Sequence, residues 1–87
     1  MKYYCYILQS GIMGRLYIGQ TYNLEDRIYR HNSNQNKSTK NKGPWKLLHA
    51  FKFDTRAEAV QMENKLKKWK SPKRILALIE KSKLSDN

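Results

Sequence analysis

Eighty-seven residues carry eighteen Lys and Arg against seven Asp and Glu, a net charge of +11, which predicts one domain whose partner is a polyanion, nucleic acid before an anionic membrane surface. A chain this short buries only about 60% of its unfolded surface, so an active site would be a shallow groove lined by core-margin residues. No segment resembles a transmembrane span or a signal peptide, and the lone Cys5 excludes an internal disulfide and a structural zinc site, so a cytoplasmic protein with no membrane role is the expectation.

Residues 2–9, rich in aromatic and branched types, predict a strand. The Ser10-Gly11-Ile12-Met13-Gly14 segment supplies a hairpin loop, and residues 15–20 form the partner strand. Alternation sets Tyr4, Tyr6 and Leu8 on one face, Tyr3, Cys5 and Ile7 on the other, and gives Tyr17 and Gly19 a common face. Asn23 caps a first helix over 24–32, with Glu25 and Asp26 at the positive end of its dipole. From Asn32 to Gly43 the chain is polar without an apolar anchor and predicts a mobile loop, after which Trp45 to Phe53 forms a third strand.

Thr55-Arg56-Ala57-Glu58 is a capping box that opens a second helix, running to about Lys70 with Ala59, Met62, Leu66 and Trp69 as its buried stripe. Ser71 as cap and Pro72 at the first helical position start a third helix, which carries Ile75, Leu76, Leu78 and Ile79 and ends near Ser82. The expected fold class is α+β, a three-stranded antiparallel sheet flanked by about three helices, with helical cover on one side. Residues 1–82 make the domain and residues 83–87 a frayed tail.

On the first helix Leu24 and Ile28 must face the core, which leaves Arg27 and His31 at its margin. An arginine fork beside a histidine suits a phosphate and a proton transfer. The plainer alternative, common for such spacings, lays both over the sheet edge with solvated tips. Glu63 lies next to Ala59 at the edge of the buried stripe, where its carboxylate could bind Mg²⁺ and leave most positions to water and phosphate. Its alternative is a surface pair with Lys67. Tyr6 and Tyr17 either pack the sheet or point their hydroxyls into a common site across the hairpin. Lys65, Lys67, Lys68, Lys70, Lys73 and Arg74, with Lys37, Lys40 and Lys42 in the polar loop, read as a footprint for the DNA backbone rather than a merely solvated face. Cys5 is a small buried hydrophobe.

These pieces, in this order, resemble the GIY-YIG nuclease superfamily, especially its small stand-alone members and the nuclease domains of structure-specific endonuclease subunits. Tyr4-Cys5-Tyr6 stands where the family has Gly-Ile-Tyr, and Tyr17-Ile18-Gly19 is the second triplet unaltered. Arg27, His31, Gly43-Pro44-Trp45 and the Glu63 helix follow, so the resemblance runs from Tyr3 to about Ile79.

The resemblance implies an endonuclease that hydrolyses DNA phosphodiesters with Mg²⁺ or Mn²⁺ held by Glu63, acting on duplex or branched DNA in repair or recombination. Arg27 would hold the phosphate, Tyr6 and Tyr17 would orient or activate water, and His31 would share the proton transfer. The chain departs from the family at the first triplet, at Gln20 where some relatives have lysine, and over residues 72–79, which offer no asparagine. Eighty-seven residues leave no room for a second, substrate-choosing domain, so the expectation is a specificity that is low or supplied by a partner protein. The rival reading is a catalytically weak or inactive DNA-binding or interaction module of the same fold.

Overall fold

The computed structural model describes residues 1–36 and 39–85, with side chains through Lys83. Its elements run β1 (Tyr3–Ser10), β2 (Leu16–Thr21), α1 (Leu24–Asn32), β3 (Trp45–Phe53), α2 (Arg56–Trp69) and α3 (Pro72–Ser85). The sheet is antiparallel in the order β2-β1-β3. The α+β class and the three-stranded sheet are as the sequence predicts.

Local signals explain most boundaries. The Asn23 side chain accepts from the Asp26 N–H at 3.1 Å and starts α1. Thr55 accepts from the Glu58 N–H at 3.3 Å and its hydroxyl donates to the Glu58 carboxylate at 2.9 Å, so the cap forms with a side-chain bond in place of the expected reach-back to the Thr55 N–H. Lys70 ends α2 in the left-handed region, φ 52°. Ser71 receives the Arg74 N–H at 3.2 Å and opens α3, which continues three residues beyond the expected end. Residues 83–85 of the expected frayed tail are therefore helical, and Asp86 and Asn87 lie outside the described residues.

Helical cover lies on both faces of the sheet, not one. Tyr6, Leu8 and Trp45 pack with Leu24 and Ile28 of α1. Cys5, Ile7 and Ile18 pack with Leu66 of α2 and Ile75 and Ile79 of α3 on the opposite face. This sandwiching is why four consecutive residues of the central strand, Cys5 to Leu8, are buried, where a half-covered strand would alternate. Pairing of β1 with β3 slips between Ile7↔His49 and Leu8↔Leu47, so Leu48 is an extra residue. The bulge turns Leu48 to the face of Phe51 and Phe53, which strict alternation would deny it.

The polar tract before β3 is anchored after all, by hydrogen bonds instead of apolar contacts. Asn32 receives the Trp45 N–H at 2.6 Å and donates to the Trp45 carbonyl at 3.2 Å. Asn34 receives the Asn41 N–H at 3.0 Å, and Thr39 is fully buried.

Candidate active site

The chemistry-bearing residues gather on the α1 face of the sheet. Tyr6, in the central strand, is paired with Gly19 of β2, and Leu8 with Tyr17. Tyr6 and Tyr17 therefore project to the same side, with ring centroids 6.3 Å apart. His31 comes down from α1 between them, 4.7 Å from the Tyr17 ring, with its Nε2 3.0 Å from the Tyr6 hydroxyl. It is fully buried, not a margin residue with a solvated tip. The reason is on its other side, where His31 Nδ1 lies 2.7 Å from Thr39 Oγ1.

The direction of the protons follows from counting donors. Tyr6 is 1% exposed and its hydroxyl has His31 Nε2 as its hydrogen-bond partner among the described residues. The phenol therefore donates to Nε2, Nδ1–H donates to Thr39 Oγ1, and the Thr39 hydroxyl donates to the Asn36 carbonyl at 3.4 Å. The opposite polarity would strand the Tyr6 proton in the core, at a cost of about 1–3 kcal/mol. Thr39 is fixed in turn by Trp45, whose indole N–H donates to its carbonyl at 3.2 Å.

Sequence reasoning missed Thr39, because a threonine in a polar loop carries no periodicity. The one available signal was that a buried histidine needs partners on both nitrogens. Gly19 has a spatial reason as well: a Cβ there would lie 2.5 Å from the Tyr6 hydroxyl, so the second triplet ends in glycine to make room for the first triplet's tyrosine.

Burial dominates the electrostatics. It drives the Tyr6 phenol well above the ordinary tyrosine range, reinforced by Tyr17 and Glu63 and opposed by Arg27. Burial, helped by the Arg27 charge, pulls His31 down to about 4, so the imidazole is neutral at physiological pH. The Cys5 thiol is pushed up to about 12, chiefly by burial, which makes it an inert packing group.

Arg27 and Glu63 join this cluster through their fields. Arg27 is half-buried, and its Nε is buried without a hydrogen-bond partner among the described residues. Glu63 belongs to α2, its charge is felt at both Cys5 and Tyr6, and its Oε2 receives Lys67 Nζ at 2.7 Å. The surface-pair alternative for Glu63 is thus realised in the structure.

Among the described residues no three His, Cys, Asp or Glu side chains converge to hold a metal. A Mg²⁺-type ion does not require such a cage, since one or two protein oxygens with water and phosphate suffice. The Gln20 amide oxygen is buried without a partner, and Gln20 pairs with Cys5, on the sheet face that α2 covers. The Glu63 carboxylate, already accepting the Lys67 cation, is the hard oxygen ligand of the type such an ion takes.

Lys40, Lys65, Lys67, Lys68, Lys70, Lys73 and Arg74 are exposed and Lys42 is half-buried, whereas Lys37 lies outside the described residues. The helical run is split by geometry. Lys67 and Lys70 line a groove beside β2, while Lys65 and Lys68 line another surface with Gln61, Asn64 and Trp69. Arg74 stacks over the Trp69 ring at 4.1 Å. Among the described residues no helix is long and apolar enough to cross a membrane.

Residues 2–75 match the family described as the GIY-YIG catalytic domain. A UPF0213 protein of Staphylococcus saprophyticus is 35% identical over 80 residues, covering 91% of this chain and 96% of its own. One from Bacillus licheniformis is 41% identical over 68 residues, 77% of this chain and 69% of its own. The solution NMR structure of a UPF0213 protein from Bacillus halodurans superposes with a TM-score of 0.56 at 31% identity, over 92% of this chain and 84% of that one. With Tyr6 of the first triplet paired to Gly19 of the second across the hairpin and a family match over residues 2–75, the chain belongs to the GIY-YIG nuclease superfamily.

Proposed function

We propose that this protein is a divalent-metal-dependent endonuclease that hydrolyses DNA phosphodiester bonds, with structured or branched DNA as its substrate and repair or recombination as its setting. The observation that carries the reading is the buried chain from Tyr6 through His31 to Thr39. Burying three polar side chains costs desolvation that a packing aromatic avoids, and their alignment gives a proton a defined path.

Each residue then has a task. The guanidinium of the half-buried Arg27 takes the scissile phosphate and offsets the charge that builds up there. Tyr17, half-buried beside His31, orients the attacking water. The Tyr6 hydroxyl accepts a proton from that water as its own proton passes to His31 Nε2, so no phenolate accumulates on a group that burial keeps protonated. His31 at about 4 is too weak a base to hold a proton at rest, and the transfer accompanies the attack on phosphorus. Thr39 receives the Nδ1–H of the resulting imidazolium. Glu63 would hold Mg²⁺ or Mn²⁺, whose chemistry there is to polarise the phosphate and stabilise the leaving oxygen.

One observation favours the rival reading of a DNA-binding module without turnover: the Lys67 ammonium occupies the Glu63 carboxylate. A single assay separates the two. Purified protein should nick supercoiled, flapped or four-way-junction DNA with Mg²⁺ or Mn²⁺. Chelator and Glu63→Ala should each abolish nicking while DNA binding is largely retained. Equal nicking by wild type and Glu63→Ala would sink the metal assignment, and binding without any nicking would establish the rival.

A further inference from the structure

A groove of about 410 Å³ runs along β2, the edge strand of the sheet, and ends at the junction of α2 and α3. Its floor is apolar, presented by the half-buried Leu16 and the edge of Ile18 over the buried Leu66 and Ile75. Its rim is cationic, formed by Arg15, Lys67 and Lys70. The two halves ask for different things from a ligand. A duplex offers phosphates, which suit the rim, but keeps its bases stacked inside and has nothing to lay on the floor. An unpaired nucleotide offers both a phosphate and an exposed base face, and its size suits a cavity in the range of about 300–1,000 Å³ typical of ligand sites.

The groove also leads to the nuclease residues from two directions. Tyr17 borders it and stacks 4.7 Å from His31. Lys67 borders it and holds Glu63. We propose that this groove binds the unpaired strand adjoining the scissile phosphate, base on the apolar floor and phosphate on Arg15 and Lys70, so that the protein selects junctions between duplex and single strand. The position of the strand relative to the cut rests on the nuclease reading, whereas the binding preference does not.

The test reads binding by the Glu63→Ala protein in chelator, by fluorescence anisotropy, on a blunt duplex and on the same duplex with a single-stranded arm. The armed duplex should bind about tenfold more tightly, the worth of a phosphate contact together with a buried base face. Adding Arg15→Glu with Lys70→Glu should erase that preference, as should Leu16→Ser, which leaves the charge unchanged. A 2-aminopurine at the first arm position should change its emission on binding to the parent protein and not to the groove variants. Arg15 and Lys70 are exposed, so the charge variant tests the groove even where Leu16→Ser impairs folding. Equal affinity for armed and blunt duplexes, or a preference that survives the charge variant, would overturn the proposal and leave the groove to a polypeptide strand pairing with the β2 edge. Because no metal or turnover enters this measurement, its failure is distinct from a wild-type protein that fails to nick.

Discussion

His31 is an ionisable side chain held where its charged form is least stable, fully buried and under the field of Arg27. Its folded value of about 4 lies below the ordinary 6.5, so between these limits the unfolded chain binds a proton that the folded one refuses. Stability therefore rises with pH through that window. The contribution is complete above pH 6.5 and is lost as pH falls toward 4, by about 3 kcal/mol. Urea unfolding across the window should show this loss, and the His31 imidazole resonances should titrate near pH 4. A midpoint at the ordinary value would mean that the ring reaches solvent and that the Tyr6–His31–Thr39 chain is broken.

Thr39 is tested by subtraction. Thr39→Val keeps the shape but leaves His31 Nδ1–H unpaired, a cost of about 1–3 kcal/mol in stability. It should lower kcat for nicking more than it raises KM, because His31 loses the acceptor that supports its imidazolium. Thr39→Ser restores the hydroxyl and should restore the rate. Equal loss in both variants would assign the effect to packing.

At the scale of elements, α2 ends by an unfavourable device: Lys70 sits at φ 52°, a region that costs a residue with a Cβ about 1–2 kcal/mol. Lys70→Gly should raise the thermal midpoint, gaining up to about 1 kcal/mol. A lower midpoint would show that the lysine stem contributes more packing than its backbone costs. Boundaries of this sort are local, and local signals were legible: the Asn23 cap, the Thr55 box and the Ser71-Pro72 start each place a helix within the sequence. What was not legible depends on the slope and stagger of the sheet. Periodicity finds the apolar stripe of a helix but cannot say which sheet face receives it, so cover on both faces was missed. The extra Leu48 in β3 re-aims one side chain without leaving a mark in the hydrophobic pattern. In the site, alternation assigned Tyr6 and Tyr17 to strand faces and the helix wheel put His31 at the core margin, but neither period could say that the three side chains meet or that His31 is fully buried. Thr39 could not be placed, because its position depends on hydrogen bonds made by a loop.

Over the whole molecule, the +11 charge is unevenly arranged, and its arrangement matters more than its sum. On α2, Lys67 and Lys70 share one side and Lys65 and Lys68 another, as expected from about 100° per residue. The Lys67 and Lys70 side borders β2, where Tyr17 leads to His31. DNA positioned for cutting should therefore touch that side, while Lys65 and Lys68, with Lys65 leaning toward the Trp69 ring at 5.9 Å, raise the general field. Each phosphate contact contributes about 0.9 to the slope of log affinity against log salt. Lys67→Gln with Lys70→Gln should flatten that slope by up to about 1.8, and Lys65→Gln with Lys68→Gln by about 0.5 or less. Titrations of a branched DNA against salt, with wild type and the two double variants, measure the difference directly. Equal flattening would mean that the DNA wraps the end of α2, and the sidedness that ties the groove to the site would be lost. No change in either would remove these four lysines from the footprint and leave Lys40, Lys42, Lys73 and Arg74 to carry it.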